Sequence, residues 1–236
     1  MGLCYCSRQP RLCRTRPCNY GHEHPSLFHA FTLETDAGRS NQGGVAAWDL
    51  DGWIGSDENK LWLKSEGERV SGVLESAEVQ ALYGRNISAF WDAQIGLRQD
   101  FYRQSLGWEN TSYIVAGVNG LVPYYFETDA HLFVSDQGDV SARLRQENDV
   151  RLLQELILQP YAEANLYAQD VPEQAVGAGL ATLQGGLQLR YEITRQFAPY
   201  VDVNYTRKFG ETASLAHQAG ESRGEAVAML GLRLRF

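Results

Sequence analysis

The chain closes on Ala228-Met229-Leu230-Gly231-Leu232-Arg233-Leu234-Arg235-Phe236, and this stretch decides the fold. Ala228, Leu230, Leu232, Leu234 and Phe236 fall on one face. Met229, Gly231, Arg233 and Arg235 fall on the other. Period two is the mark of a β-strand, since successive side chains point to opposite faces. An amphipathic last strand ending in an aromatic residue is the pattern expected of the closing strand of an outer-membrane β-barrel, where the terminal aromatic is read during assembly. A soluble barrel can also end in Phe, so the rest of the chain has to decide between the two.

Working back from this strand, the same alternation recurs. In residues 45–54, Ala46, Trp48, Leu50 and Ile54 oppose Asp49 and Asp51. In 60–68, Leu61 and Leu63 oppose Lys60, Trp62, Lys64, Glu66 and Glu68. In 73–83, Ala77, Val79, Ala81 and Tyr83 oppose Ser76, Glu78 and Gln80. Residues 89–100 give the clearest case, with Trp91, Ala93, Ile95 and Leu97 against Asp92, Gln94, Gly96, Arg98 and Asp100. A Gly-rich strand is expected over 113–120. Over 124–135, Tyr124, Phe126, Ala130, Leu132 and Val134 oppose Glu127, Asp129 and His131. Comparable segments fall at 140–150, 156–169, 182–194 and 199–209. With 28–37 first and 225–236 last, the expectation is an all-β, antiparallel transmembrane β-barrel of about twelve strands.

Segments of roughly 9–12 residues suit a tilted membrane crossing, whereas soluble strands average about 5–6. The polar faces are also too charged for the packed interior of a soluble barrel. Short turns are expected at 57–59, 85–88 and 194–196. Longer loops are expected at the opposite end, at 70–72, 104–110 and 210–223, the last of them extracellular. Pro123, Pro160 and Pro199 are expected near strand starts, where a missing donor is tolerated.

The totals agree. No apolar run approaches the ~18 residues of a membrane helix, and mean hydropathy is −0.35. The 12 Tyr and 5 Trp suit interfacial girdles. The formal charge is −8; residues 1–27 hold four Arg and one Glu, so the body is the acidic part. An acidic body argues against nucleic acid and favours cations in a polar lumen.

Cys4, Cys6, Cys13 and Cys18 all lie at the N-terminus, and the body has no cysteine, which fits folding in an oxidising compartment. Residues 1–26 show neither the apolar core nor the cleavage site of a secretory signal. The expectation is a disordered or non-native tail, with either the true start upstream or a misread start, and a barrel domain over 27–236.

Several strings resemble the copper-resistance protein B (CopB/PcoB) family. They are Trp48-Asp49, Trp53-Ile54-Gly55 and the run from Asn59 through Leu61-Trp62-Leu63 to Glu68. Phe90-Trp91-Asp92, the run Gly96-Leu97-Arg98-Gln99-Asp100 and the run from Pro123 to Asp129 follow. Leu158-Gln159-Pro160, Glu163 to Tyr167, Leu189 to Ile193 and Phe197 to Val201 complete the set, in order along most of the chain. The resemblance implies a Gram-negative outer-membrane barrel, surrounded by lipid, that binds, sequesters or helps export copper beside a periplasmic multicopper oxidase. Copper, as Cu(I) or Cu(II), would be ligand or cargo. Family members often carry a Met- and His-rich extension. Here only Met1 and Met229 occur, and His22, His24 and His29 precede the barrel.

The candidate metal ligands are therefore His22, His24 and His29 in the lead-in, and Glu127, Asp129 and His131 at i, i+2 and i+4 on one strand face. The Cys4-x-Cys6 pair with Cys13 and Cys18 could also hold Cu(I) as thiolates. A polar lumen network is expected from Asp92, Arg98, Asp100, Glu163, Asn165, Tyr167, Arg190, Glu192, Asp202 and Lys208. Such a network can support the fold alone, so a general porin or structural barrel without metal is the alternative. No nucleophile motif, phosphate loop or HExxH occurs in the sequence, and the poor Ser–His pairing disfavours a membrane hydrolase, so the protein reads as a non-enzyme and, for its size, as a monomer.

Overall fold

The computed structural model describes residues 27–40, 43–104, 107–218, 220 and 222–236. In chain order the strands are β1 (Phe28–Ser40), β2 (Gly43–Gly55), β3 (Asn59–Val70), β4 (Val73–Ser88), β5 (Trp91–Gln104) and β6 (Gly107–Val122). There follow β7 (Phe126–Ser135), β8 (Val140–Glu147), β9 (Val150–Arg151), β10 (Leu156–Tyr167), β11 (Gly179–Tyr191), β12 (Phe197–Lys208) and β13 (Gly224–Arg235). One helix, α1 (Gly210–Gln218), lies between β12 and β13.

Apart from β8 and β9, which both pair with β10, each strand pairs antiparallel with its sequence neighbour, and β13 returns to β1, so the sheet closes on itself. β9 continues β8 along the same side of β10, leaving twelve staves. Pro160 of β10 lies where β8 gives way to β9, between the partners of Glu147 and Val150. The proline has no N–H to give, and it sits where the ladder is already broken. The seam is tight at its end. Phe31 and Phe236 exchange both backbone bonds, at 3.2 and 2.9 Å.

The alternation predicted from sequence is the inward–outward alternation of the wall. Outward-facing Leu97, Ile114, Leu132, Leu187, Val203 and Leu230 are 52–68 % exposed. A continuous apolar outer band is stable only against lipid. The buried apolar cluster is inside the lumen instead, where Trp62, Leu82, Tyr113, Val115 and Phe133 pack together with Trp53 against them.

Some boundaries differ from expectation. Residues 85–88, expected as a turn, are the end of β4, and the loop expected at 104–110 is mostly strand. Tyr124, expected in a strand, lies in a short 3-10 turn with φ of 70°. Glu192 lies just beyond β11. The expected loop 210–223 contains α1, a helix of nine residues that is too short for its periodicity to be read from sequence.

The connections at 56–58, 89–90, 123–125 and 192–196 share an end with both termini of the described barrel. At the opposite end, residues 168–178 and the α1 segment form the longer connections. These two interlock: the Gly177 N–H donates to Thr212 Oγ1 at 3.0 Å. Gln174 Nε2 donates to Tyr113 Oη of β6 at 2.7 Å, so the 168–178 segment reaches across part of the mouth.

Candidate functional site

Antiparallel register places one carboxylate from each of five adjacent strands in a single row. Glu34 of β1 is opposite Asp49 of β2, Asp49 is opposite Glu66 of β3, Glu66 is opposite Glu78 of β4, and Glu78 is opposite Asp100 of β5. Like charges directly opposite one another destabilise a sheet. The row survives because arginines neutralise it from both its ends and from the far wall.

Arg233 of β13 is opposite Glu34 in register and bonds to it. Arg98 of β5 grips Asp100 at 2.6 Å and Glu78 at 2.7 Å. The other two arginines come from β8, across the lumen. Arg143 reaches Glu78 at 3.1 Å and Glu66 at 3.7 Å. Arg145 reaches Asp49 at 3.4 Å and Glu66 at 3.7 Å. The same two arginines meet Glu163 and Glu147, each at 3.8 Å. Seven carboxylates thus surround four guanidiniums, and the cluster keeps an excess of negative charge. The aromatic knot holds the arginines in place from one side. The Arg98 guanidinium lies 4.6 Å from the Phe133 ring centre and 5.2 Å from that of Tyr113, and Arg143 lies 5.6 Å from Phe133.

This belt divides the lumen. A cavity of about 260 Å³ lies toward the termini, lined by Asp51, Lys64, Glu127, Asp129, His131 and Arg235 among others. A larger cavity of about 560 Å³ lies toward the α1 end, lined by Asp36, Glu68, Asp202, Glu225 and Met229 among others. The two share Glu34, Asp49, Glu66, Arg143, Arg145, Glu147, Gln159 and Arg233 as a common wall.

Of the predicted metal ligands, Glu127, Asp129 and His131 do line one cavity together. Each has its own surroundings. Asp129 accepts from Lys64 Nζ at 2.6 Å and from Asn119 Nδ2 at 2.9 Å. His131 is buried, with Nε2 2.7 Å from Gln94 Oε1. Glu127 is exposed at the mouth, opposite Glu147. Among the described residues, no three His, Cys, Asp or Glu groups stand close enough to hold a metal ion. Alternate strand residues are about 7 Å apart along the chain, which explains the spread. His29 is exposed on β1 opposite Ile54, and it alternates with the inward Thr32 and Glu34, which puts it on the outer face. His22, His24 and the four cysteines lie outside the described residues.

The predicted lumen network is assembled in part. Asp92 pairs with Lys60 at 2.6 Å, and Arg190 pairs with Asp149 at 2.8 Å and Glu192 at 3.6 Å. Asn165 donates to Glu163 Oε1 at 2.8 Å. Asp202 accepts from Asn204 Nδ2 at 2.8 Å and Tyr161 Oη at 3.1 Å. Tyr167 is half-buried at the end of β10, and Lys208 ends β12. Sequence reasoning placed Asp49, Glu66, Glu78 and Arg233 on polar faces. It did not bring them, Glu34, Arg143 and Arg145 together, because only strand register does so.

Residues 27–236 match the family described as copper resistance protein B precursor (CopB). The chain is 45% identical over 211 residues to the copper resistance protein B homolog of Pseudomonas syringae pv. tomato, covering 89% of this chain and 70% of the relative. It is 41% identical over 198 residues to copper resistance protein B of Escherichia coli, covering 84% of this chain and 66% of that relative, so it spans about two thirds of their length. The barrel is similar to that of the NanC porin, with a TM-score of 0.57 and 12% identity over 86% of this chain and 98% of the porin, a likeness of fold. A closed barrel with an apolar outer band places the protein in the outer membrane of a Gram-negative bacterium. By sequence and by architecture, this chain belongs to the copper resistance protein B family.

Proposed function

We propose that the barrel serves copper resistance by binding copper ions in its lumen and so sequestering them or helping to export them, beside a periplasmic multicopper oxidase. The observation that carries this is the excess of carboxylates over guanidiniums in the wall between the two cavities. A negative, narrow, low-dielectric passage concentrates cations and repels anions. The protein acts as a monomer in lipid, and copper is its cargo, not a catalytic cofactor.

Two sets of candidate ligands remain for the role. One is the lead-in with His22, His24 and His29, of which His29 faces outward; the other is the lumen face with Glu127, Asp129 and His131, which would have to leave their present partners and draw together around an ion. The test is titration of the refolded barrel in detergent with Cu(I) and Cu(II) separately, comparing the full chain with a chain starting at Ser26. Binding that survives truncation, and is lost when Glu127, Asp129 and His131 are all replaced by Ala, supports the lumen face. Binding lost on truncation supports the lead-in. Absence of copper binding in both forms refutes the proposal. It would leave a structural barrel without metal, which the saturation of Asp129 by Lys64 and Asn119 favours.

A further inference from the structure

The larger cavity holds acids that the arginine belt does not reach. Asp36, Glu68, Asp202 and Glu225 line it, and among the described residues none has a Lys, Arg or His partner within 4.0 Å. Glu68 and Glu225 stand toward the outer rim. Asp36 and Asp202 stand deeper, at the seam where the last strands meet the first.

Between them stands Met229. It is opposite Asp202 of β12 on one side and Gly38 of β1 on the other. Gly38 gives it room. A Cβ there would lie 2.7 Å from Met229 Cγ, so the thioether arm lies over the glycine, toward the strand that carries Asp36. Met229 is the one methionine of the described barrel and it faces the cavity. Asp202 is only 3 % exposed, yet its Oδ1 has no hydrogen-bond partner. A buried carboxylate oxygen without a donor is costly, and native proteins rarely leave one so. Its other oxygen is held by Asn204 and Tyr161, which fixes the free one in place. Asp36 is oriented likewise, its Oδ2 accepting from Tyr200 Oη at 3.1 Å.

We infer that Asp36, Met229 and Asp202 form a copper station at the barrel seam, with a carboxylate on either side of a thioether, on the outer side of the arginine belt. Two oxygen donors and one sulfur donor suit copper better than Mg(II) or Ca(II), which take oxygen alone. Water completes the shell in a cavity of this size. The station rests on the copper reading of the barrel, and it differs from the Glu127, Asp129 and His131 face in lying in the other cavity.

The experiment uses the full chain refolded in detergent, titrated with Cu(II), Cu(I) and Mg(II), alongside Met229→Leu and Asp202→Asn. Both changes keep side-chain size, and an Asn oxygen can still accept from Asn204 and Tyr161, so the barrel should fold; circular dichroism checks this. The expected result is copper binding weakened at least tenfold by each change, loss of a sulfur-to-copper charge-transfer band in Met229→Leu, and no comparable Mg(II) binding. Copper binding unchanged in both variants overturns the station and leaves the copper reading standing. Failure of the unaltered chain to bind copper in either state removes both. Mg(II) binding as tight as copper overturns the station as well.

Discussion

Arg143→Ala is the sharpest probe of the belt. Arg143 serves three carboxylates: Glu78 at 3.1 Å, Glu66 at 3.7 Å and Glu163 at 3.8 Å. After the change Glu78 keeps Arg98 at 2.7 Å and Glu66 keeps Arg145 at 3.7 Å. Glu163 keeps no cation partner within 4.0 Å among the described residues, only the amide of Asn165. Removing one partner of a buried ion pair costs about 3–5 kcal/mol. The side chains are not fully sealed from lumen water, with 18% exposure for Arg143 and 19% for Glu163, which moves the expectation to the lower end, about 3 kcal/mol. That is roughly a hundredfold change in the unfolding constant. Urea unfolding of the barrel in lipid vesicles, followed by tryptophan fluorescence, measures it. The cost should shrink in acid once the cluster's carboxylates are protonated, because protonation removes the repulsion that Arg143 had balanced. It should also shrink on adding Glu163→Gln, since the carboxylate left without a cation is then gone. In planar bilayers the same variant should raise cation conductance, because the wall between the two cavities has lost a post. A cost below about 0.5 kcal/mol, or no recovery with Glu163→Gln, would refute the belt as a balanced charge cluster.

Other perturbations test other parts of the wall. Leu97→Arg puts a cation on the outward face of β5, at a side chain 66% exposed to the membrane, and should cost about 2–4 kcal/mol in refolding titrations if the position lies near the bilayer midplane. Gly231→Val places a side chain where the Tyr200 ring now lies over the glycine. It should displace Tyr200 from Asp36 and cost about 1–3 kcal/mol by thermal unfolding. Gln174→Ala releases the 168–178 segment from Tyr113, a bond worth about 1 kcal/mol, and should speed proteolytic cleavage within that segment while leaving the barrel intact.

How much of this was legible beforehand depends on the range of the interaction. The faces of the strands were readable because each residue's side is set by its neighbours in the chain. Trp62 among charged residues at 60–68 read as inward, and it is 9% exposed within the lumen cluster. Leu82 was not singled out, although it follows Gln80 at the same parity, because a lone inward leucine on a charged face carries no local signal. Strand ends were less legible. Residues 85–88 hold Asn and Ser, which commonly mark turns, yet they extend β4, with an irregularity in the ladder between Asn86 and Ser88. α1 escaped because nine residues within a loop give little more than two turns of periodicity.

The candidate sites divide along the same line. Glu127, Asp129 and His131 share one strand, so their common face was read correctly, while their separate partners, Lys64 and Gln94, come from β3 and β5. The five-acid row and the Asp36–Met229–Asp202 group draw on residues far apart in sequence, and their alignment depends on register. Register is fixed by turn lengths, by irregularities such as that between Glu68 and Arg69, and by closure of β13 on β1. Sequence by itself determined that this chain is a membrane barrel with an apolar outside and a charged inside, because period-two alternation is local and a bilayer tolerates no other arrangement of it. Only the tertiary structure decided which charges meet across the lumen, because register and closure arise when all the strands pair at once.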